Sequence, residues 1–283
     1  MNATSELISL VSREMHYRNY SAKTVKTYTS LLETLGRCFA PQSLEVVTTE
    51  AFKNYLYQRI KKDKISASMV NQYISAWKIM QTDVLKHDWE TIKIKRPRRE
   101  RKLPVVLSQH EVEALINATV NIKHRAILML AYSAGLRREE IQLMKPSAID
   151  SERMRVHVVQ GKGHKDRYTI LSVKVLVCLR SYFKMLRPKT YLFETQLKKG
   201  QFLSATSLSN IVKHSAQKAG IKKNISFHTL RHCFATHQLE NGVNIRVIQE
   251  LLGHVSIRTT MVYLHLANFN PTDLSSPLDN MDI

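Results

Sequence analysis

Between His228 and Tyr263 the chain gathers four side chains able to act on a phosphate: His228, Arg231, His254 and Tyr263. The run reads H-T-L-R-H-C-F-A-T-H, then L-L-G-H, then T-T-M-V-Y. Guanidinium groups grip non-bridging phosphate oxygens in pairs, imidazoles donate or relay protons, and the phenol oxygen is the one obvious nucleophile of the set. A cluster so rich in donors and poor in acceptors suits chemistry on a phosphodiester. A metal site is the competing reading, since His228, His232, Cys233 and His237 have helical ligand spacing. The Glu of H-E-x-x-H and any Cys-x-x-Cys are missing, so no metal is expected.

Three elements must position these groups. Leu230, Phe234 and Leu239 predict a helix over 229–239, which places His228 and Arg231 on one face near an N-terminus that already favours anions. Asn244 is suited to cap a second helix through Ile245, Ile248, Leu251 and Leu252, and Gly253 to end it in the left-handed conformation. His254 then leaves at a fixed corner. Ser256 or Thr259 opens a last helix carrying Tyr263.

The composition names the partner class. With 43 Lys and Arg against 23 Asp and Glu, the 283-residue chain carries a formal charge of +20, and its pI is near 9.9. Such an excess predicts a polyanionic partner, nucleic acid ahead of an acidic membrane surface. No run approaches the roughly 18 apolar residues of a spanning helix, and Met1 to Leu10 lacks a basic stretch followed by an apolar core. A cytoplasmic location is expected. Cys38, Cys178 and Cys233 are too scattered for a disulfide framework and read as core thiols.

The length predicts about two domains. Residues 1 to about 90 read as a helical module, with helices around Leu7 to Met15, after Ser21, after Thr48 or Thr49, and after Ser66 or Ser68, the last running through Trp77 to Val84. Lys23, Lys26, Lys53, Lys61, Lys62 and Lys64 give it a basic side suited to phosphate contacts. The run Lys95 to Lys102, interrupted by Pro97 and followed by Pro104, reads as an extended basic linker across a DNA backbone.

A capping box, Ser108 to Glu111, opens the second domain, and a buried helix from about Ile122 to Ser133 stops at Gly135. Arg137 and Glu140 follow in A-G-L-R-R-E-E-I-Q-L. Met154 to Val159 alternates as a strand that Arg167 to Ile170 pairs antiparallel, joined across Gly161-Lys162-Gly163-His164-Lys165-Asp166. That turn is not a P-loop, because G-x-x-x-x-G-K-[ST] is absent. Helices are expected from Val173 to Leu186 and from Leu208 to Ala219. In the polar tail, Leu274, Leu278 and Met281 have helical spacing; too short to be stable alone, this segment is expected either to stay disordered or to dock on a neighbouring subunit.

Taken in order, G-L-R-x-x-E, G-K-G-H-K-D-R, H-x-x-R, L-G-H and a terminal Tyr resemble the signature of the tyrosine recombinase (phage integrase) family, with similarity to Xer-type recombinases and to integron and transposon integrases. The N-terminal S-A-K-T-V-K-T-Y looks similar to the family's core-binding domain. The resemblance implies a mainly α, two-domain C-shaped DNA clamp. Its parts would be a helical core-binding domain over 1–92, a basic linker over 93–106, a mostly helical catalytic domain with a small antiparallel sheet over 107–267, and a tail over 268–283.

It implies Arg137, Lys162, His228, Arg231, His254 and Tyr263 as catalytic residues, with Glu140 a buried structural partner. Tyr263 would attack a scissile phosphate, leaving a 3′-phosphotyrosyl bond and a free 5′-hydroxyl. Arg137 and Arg231 would hold the non-bridging oxygens, Lys162 would protonate the leaving 5′-oxygen, His228 would serve proton transfer around Tyr263, and His254 would donate a hydrogen bond to the phosphate. No metal or cofactor is implied. The implied partners are double-stranded DNA recombination sites and three further copies, in a homotetramer that exchanges strands through a Holliday junction. The rival functions are type IB topoisomerase-like relaxation and a non-catalytic DNA-binding regulator of the same fold.

Overall fold

The computed structural model describes residues 3–89, 94–97, 103–159, 166–195 and 200–268. Lys162 with most of its turn, parts of the basic linker, and the tail beyond Asn268 lie outside the described residues. The chain divides into two units, Met1–Arg101 and Lys102–Ile283.

In the first unit, helices α1 (Ala3–Tyr17), α2 (Ala22–Phe39), α3 (Thr49–Asp63) and α4 (Ala67–Lys78) begin where the capping residues lie. Ser21, Thr48 and Ser66 each accept a hydrogen bond from the backbone N–H three residues on, satisfying a donor that the helix leaves open. Their apolar faces close on one core, in which the Phe52 and Trp77 rings stack at 4.3 Å. The six lysines of the basic side are all exposed.

One departure concerns the last helix, which changes to π-helical geometry over Ile79–Val84 instead of continuing as α-helix. The wider turn carries Gln81 into the interior, where its side-chain oxygen meets Nδ1 of His87 at 2.6 Å and its carbonyl takes the His87 N–H. That bond rests on a residue beyond the helix, so helical periodicity alone does not contain it.

The second unit is built around α6 (Ile122–Ser133), whose Ala126, Ile127, Leu128, Leu130 and Ala131 are all fully buried. Burial around so much of a helix marks it as the core of the unit. Around it lie α5 (Gln109–Asn117), α7 (Arg138–Leu143), α8 (Val173–Leu186), α9 (Ala205–Lys218) and α10 (Phe227–Glu240), with α11 (Ile245–Leu252) and α12 (Ile257–Met261) following. The capping box at Ser108 and Glu111 is present, and α8 has the expected bounds.

Helix α9 starts at Ala205 because Ser204 caps it, ahead of the apolar residues that marked Leu208. Helix α10 starts at Phe227, so His228 lies inside its first turn. Thr229 Oγ1 closes that end by accepting the Ser226 N–H at 3.0 Å.

A three-stranded antiparallel sheet, in order β1-β2-β3, packs on this core: β1 is Ile149–Asp150, β2 Arg155–Val158 and β3 Arg167–Ile170. Strand β1 is too short to show alternation and was not expected. The register pairs Val156 with Thr169 and Val158 with Arg167. Thr169 Oγ1 donates to the Ala134 carbonyl at 3.0 Å, tying the sheet to the end of α6 beside Gly135. Among the described residues, no helix is long and apolar enough to cross a membrane.

Candidate active site

The site starts where α6 ends. Gly135 has φ +60° and a Cβ there would lie 2.5 Å from Phe234 Cδ1, so only glycine fits the turn. Its carbonyl accepts from Arg231 Nη1 at 2.7 Å, while Arg231 Nη2 donates to the Leu252 carbonyl at 2.6 Å. Arg231 thereby joins α10 to the ends of α6 and α11, and the residue is only 1% exposed.

Arg137 stands at the N-cap of α7. Glu140, one turn on, accepts from the Arg137 backbone N–H at 2.8 Å through Oε2 and from Arg137 Nη1 at 2.7 Å through Oε1. It also takes both Nη groups of Arg167, each at 2.7 Å. A bidentate pair of this kind is the strongest geometry an arginine has. Burial alone would raise the Glu140 carboxyl, but the hydrogen bonds and charge of Arg167, followed by Arg137, overcome it and bring the group down to about 2. Arg167 stands at the start of β3, and its Nε reaches the Leu251 carbonyl at 2.9 Å.

The corner after α11 has the expected geometry. Asn244 Oδ1 accepts the Arg246 N–H at 2.8 Å, and Gly253 closes the helix at φ +63°. A Cβ on Gly253 would sit 2.7 Å from Arg167 Cδ, so the same glycine that permits the left-handed turn also admits the arginine. The Gly253 carbonyl accepts from Arg137 Nη2 at 3.3 Å. His254 leaves the corner with Nδ1 hydrogen-bonded to Thr260 Oγ1 at 2.9 Å, and Gln249 Nε2 pins its carbonyl at 2.9 Å.

Tyr263 lies on a 3₁₀ turn, Val262–His265, just past α12, whereas an uninterrupted last helix was expected. It is 2% exposed, packed with Phe234, Leu239, Ile248 and Leu252. Its hydroxyl meets Nδ1 of His232 at 3.1 Å. His228 makes its ring contact with His232, edge to face at 5.0 Å, and is exposed at the rim. The imidazole touching the tyrosine oxygen is therefore His232, one helical turn from the residue that the motif pointed to.

The electrostatics leave the site short of negative charge. Among the described residues, Arg137, Arg167 and Arg231 contribute three positive charges and Glu140 one negative, a net of two positive. Burial, followed by Arg137, pushes Arg231 down to about 9, still charged at neutral pH. Burial, then Arg231 and Arg137, holds His254 down to about 3, and burial with His228 and Arg231 holds His232 down to about 4. Both imidazoles are neutral at pH 7. Burial raises the Tyr263 hydroxyl, with Arg231 and Arg137 opposing, so the phenol keeps its proton at rest. An incoming phosphate diester would supply the missing negative charge and find Arg137, whose side chain is 20% exposed, at the open side.

Five of the six predicted residues thus fall in one cluster, and Lys162 lies outside the described residues. The turn that holds Lys162 is framed by Val158 and Arg167, and Arg167 itself joins the cluster. Sequence reasoning missed Arg167 and Thr260 and weighed His232 only as a metal ligand. The signal for Arg167 was its place at the end of G-K-G-H-K-D-R. The zinc alternative fails on geometry: Cys233 Sγ accepts the Leu107 N–H at 3.2 Å, and His237 lies between the Leu107 carbonyl and the Tyr132 hydroxyl, both at 2.9 Å.

Residues 105–269 match the phage integrase family, and residues 7–91 match the phage integrase N-terminal SAM-like domain. The chain belongs to the phage integrase family of tyrosine site-specific recombinases. A tyrosine recombinase of Thermosipho africanus is 32% identical to it over 263 residues, covering 89% of this chain and 92% of that one. Tyrosine recombinase XerA of Pyrococcus horikoshii is 32% identical over 262 residues, covering 92% and 88%. Among solved structures, the XerA recombinase crystal structure superposes with a TM-score of 0.54 at 28% identity over 95% of both chains. A lambda integrase dimer bound to a COC′ core site shares the fold, with a TM-score of 0.72 at 18% identity, covering 92% of this chain and 76% of that one. In this recombinase, as in its relatives, site-specific recombination is the family activity.

Proposed function

We propose that this recombinase cleaves and rejoins double-stranded DNA at a specific site through a 3′-phosphotyrosyl intermediate on Tyr263. The observation that carries the reading is a buried tyrosine hydroxyl beside a net positive cluster of Arg137, Arg167 and Arg231 that, among the described residues, shares the one carboxylate of Glu140. Arg137 and Arg231 grip the non-bridging oxygens, Arg231 through the N–H groups left after its two carbonyl bonds, as charge grows on phosphorus. His254, oriented by Thr260, donates to the phosphate. His228 serves proton handling from the rim, and Lys162 protonates the leaving 5′-oxygen.

The reverse attack by a partner strand's 5′-hydroxyl conserves the bond energy, so neither metal nor nucleotide is needed. Two such exchanges pass through a Holliday junction within a homotetramer working on cytoplasmic DNA. Residues 1–92 act as the core-binding domain, 93–106 as the linker strap, 107–267 as the catalytic domain, and 268–283 as a tail that docks on the next copy.

A duplex with a nick beside the cleavage site tests the reaction, because the short product diffuses away and leaves the enzyme trapped. The recombinase is expected to become covalently attached to this DNA, and a protein that binds it without attaching is a regulator. Joining of two separate sites then distinguishes recombination from relaxation.

Two further results follow from the same reading. Binding is expected to weaken linearly on a log–log plot against salt, with a slope of about 0.9 per phosphate neutralised. A flat response between dilute and physiological buffer is incompatible with a contact surface built on the exposed lysines of the first unit.

Lys162→Ala is expected to cleave ordinary DNA about 10²- to 10⁴-fold more slowly. Sulfur at the 5′-bridging position turns the leaving group into a thiolate that needs no proton, so cleavage of that substrate by the variant is expected to be nearly restored. A variant equally impaired on both substrates shows that Lys162 only positions DNA.

A further inference from the structure

The phenol proton has to go somewhere. Burial raises the Tyr263 hydroxyl, and the two arginines that oppose this do not cancel it, so attack on phosphorus requires a base at the oxygen. His254 has its Nδ1 engaged with Thr260. His228 has its ring against His232, one step removed from the tyrosine. His232 has Nδ1 at 3.1 Å from the hydroxyl, with the two ring centroids 5.7 Å apart.

We propose that Nδ1 of His232 accepts the proton of the Tyr263 hydroxyl as that oxygen attacks the scissile phosphorus. The inference rests on Tyr263 being the nucleophile. The O–H bond of Tyr263 breaks and an N–H bond forms on His232; the tyrosine oxygen bonds to phosphorus as the bond to the 5′-oxygen breaks, and that oxygen takes its proton from Lys162. On rejoining, the incoming 5′-hydroxyl returns its proton to Lys162, and protonated His232 gives its own back to the departing tyrosine oxygen. No proton or electron is left over.

The surroundings suit this exchange. Burial, followed by His228 and Arg231 on the same helix, keeps His232 neutral in the free protein, so Nδ1 has a lone pair to offer if Nε2 carries the ring hydrogen. A bound phosphate adds the negative charge that offsets those neighbours and makes a protonated imidazole tenable. His228, at the rim and edge-on to His232, is placed next to the ring that becomes charged. His232 is thus a catalytic residue that the family-type motif reading left among bystanders.

The test uses the full chain on the nicked duplex. His232→Asn keeps an amide near the Nδ1 position and cannot take up a proton. It is expected to bind DNA as wild type does and to form the covalent adduct about 10²- to 10⁴-fold more slowly. Sulfur at the 5′-bridging position is expected to leave that defect unchanged, since the missing proton step is on the nucleophile. Replacing Tyr263 by a difluorotyrosine, whose phenol ionises more readily, is expected to restore much of the rate in the Asn variant while changing wild type little.

Adduct formation by His232→Asn at the wild-type rate overturns the proposal and leaves the nucleophile assignment standing. A slow variant that the difluorotyrosine does not restore also overturns it, because His232 then only holds the ring in place. Failure of wild type to form any adduct overturns the nucleophile assignment itself. Should the variant not fold, ¹⁵N spectra of the wild-type rings decide: Nδ1 of His232 is expected without a proton at neutral pH, and a protonated Nδ1 overturns the proposal.

Discussion

Tyr263→Phe protein is expected to bind its DNA site with wild-type affinity and to form no covalent adduct with it. The ring is 2% exposed and packed among Phe234, Leu239, Ile248 and Leu252, and phenylalanine keeps all of that surface. The substitution deletes one oxygen and its 3.1 Å contact with His232, a net stability change of about 0.5–1.5 kcal/mol. The proposed phosphate contacts of Arg137 and the exposed lysines are untouched, so affinity and its salt dependence are expected to stay as they were. Nothing else at that position can form a bond to phosphorus. Labelled nicked duplex incubated with the variant and run under denaturing conditions provides the measurement, with wild type trapped in the parallel lane. A covalent band from the purified variant would sink the assignment of Tyr263.

The second large effect is on folding. Glu140→Gln leaves three guanidinium groups without their carboxylate, two of them bound to it directly. With the Glu140 side chain 7% exposed, the loss falls in the range of a broken buried ion pair, about 3–5 kcal/mol. The drop of its carboxyl from 4.5 to about 2 agrees, since each unit corresponds to about 1.4 kcal/mol between folded and unfolded states.

The sign sets the pH window. Because the folded value lies below the unfolded one, the Glu140 contribution is complete above about pH 4.5 and is lost as the pH falls toward 2. Glutamine does not titrate. The stability gap between wild type and variant is therefore expected to be constant near neutrality and to narrow on acidification. His232 and His254, held down to about 4 and 3 from 6.5, add acid sensitivity below pH 6.5 in both proteins and cancel in the difference. Urea unfolding of the full chain at neutral and acid pH measures the gap. Equal midpoints at pH 7 would show that Glu140 is not the hub of the site.

Adduct formation by Glu140→Gln is expected to fall as well, because glutamine keeps only one acceptor oxygen and no charge, so Arg137 loses either its backbone cap or its side-chain anchor. The two losses are separable: stability is read without DNA, and cleavage is read at a temperature where the variant is folded.

Much of this recombinase is written locally. Ser21, Thr48, Ser66, Ser108 and Asn244 cap helices because a short polar side chain can reach an open N–H two or three residues away, a contact that depends on sequence distance alone. Gly253 sets the corner that delivers His254 for the same kind of reason, since the left-handed turn disfavours a Cβ wherever the rest of the chain lies. The motif order carried the family and five of the clustered side chains with it.

What the chain could not declare by itself depends on groups distant in sequence meeting in space. Arg167 was unremarkable until β3 carried it against Glu140, and the π turn at Ile79–Val84 is tied to the bond between His87 and Gln81. His228 and His232 share a helix, and their spacing is silent about which of them faces the tyrosine. Only the 3₁₀ turn after α12, folded back onto α10, chose His232. Local sequence sets the elements and the kinds of chemistry they can carry; contact between elements assigns each proton and charge its partner.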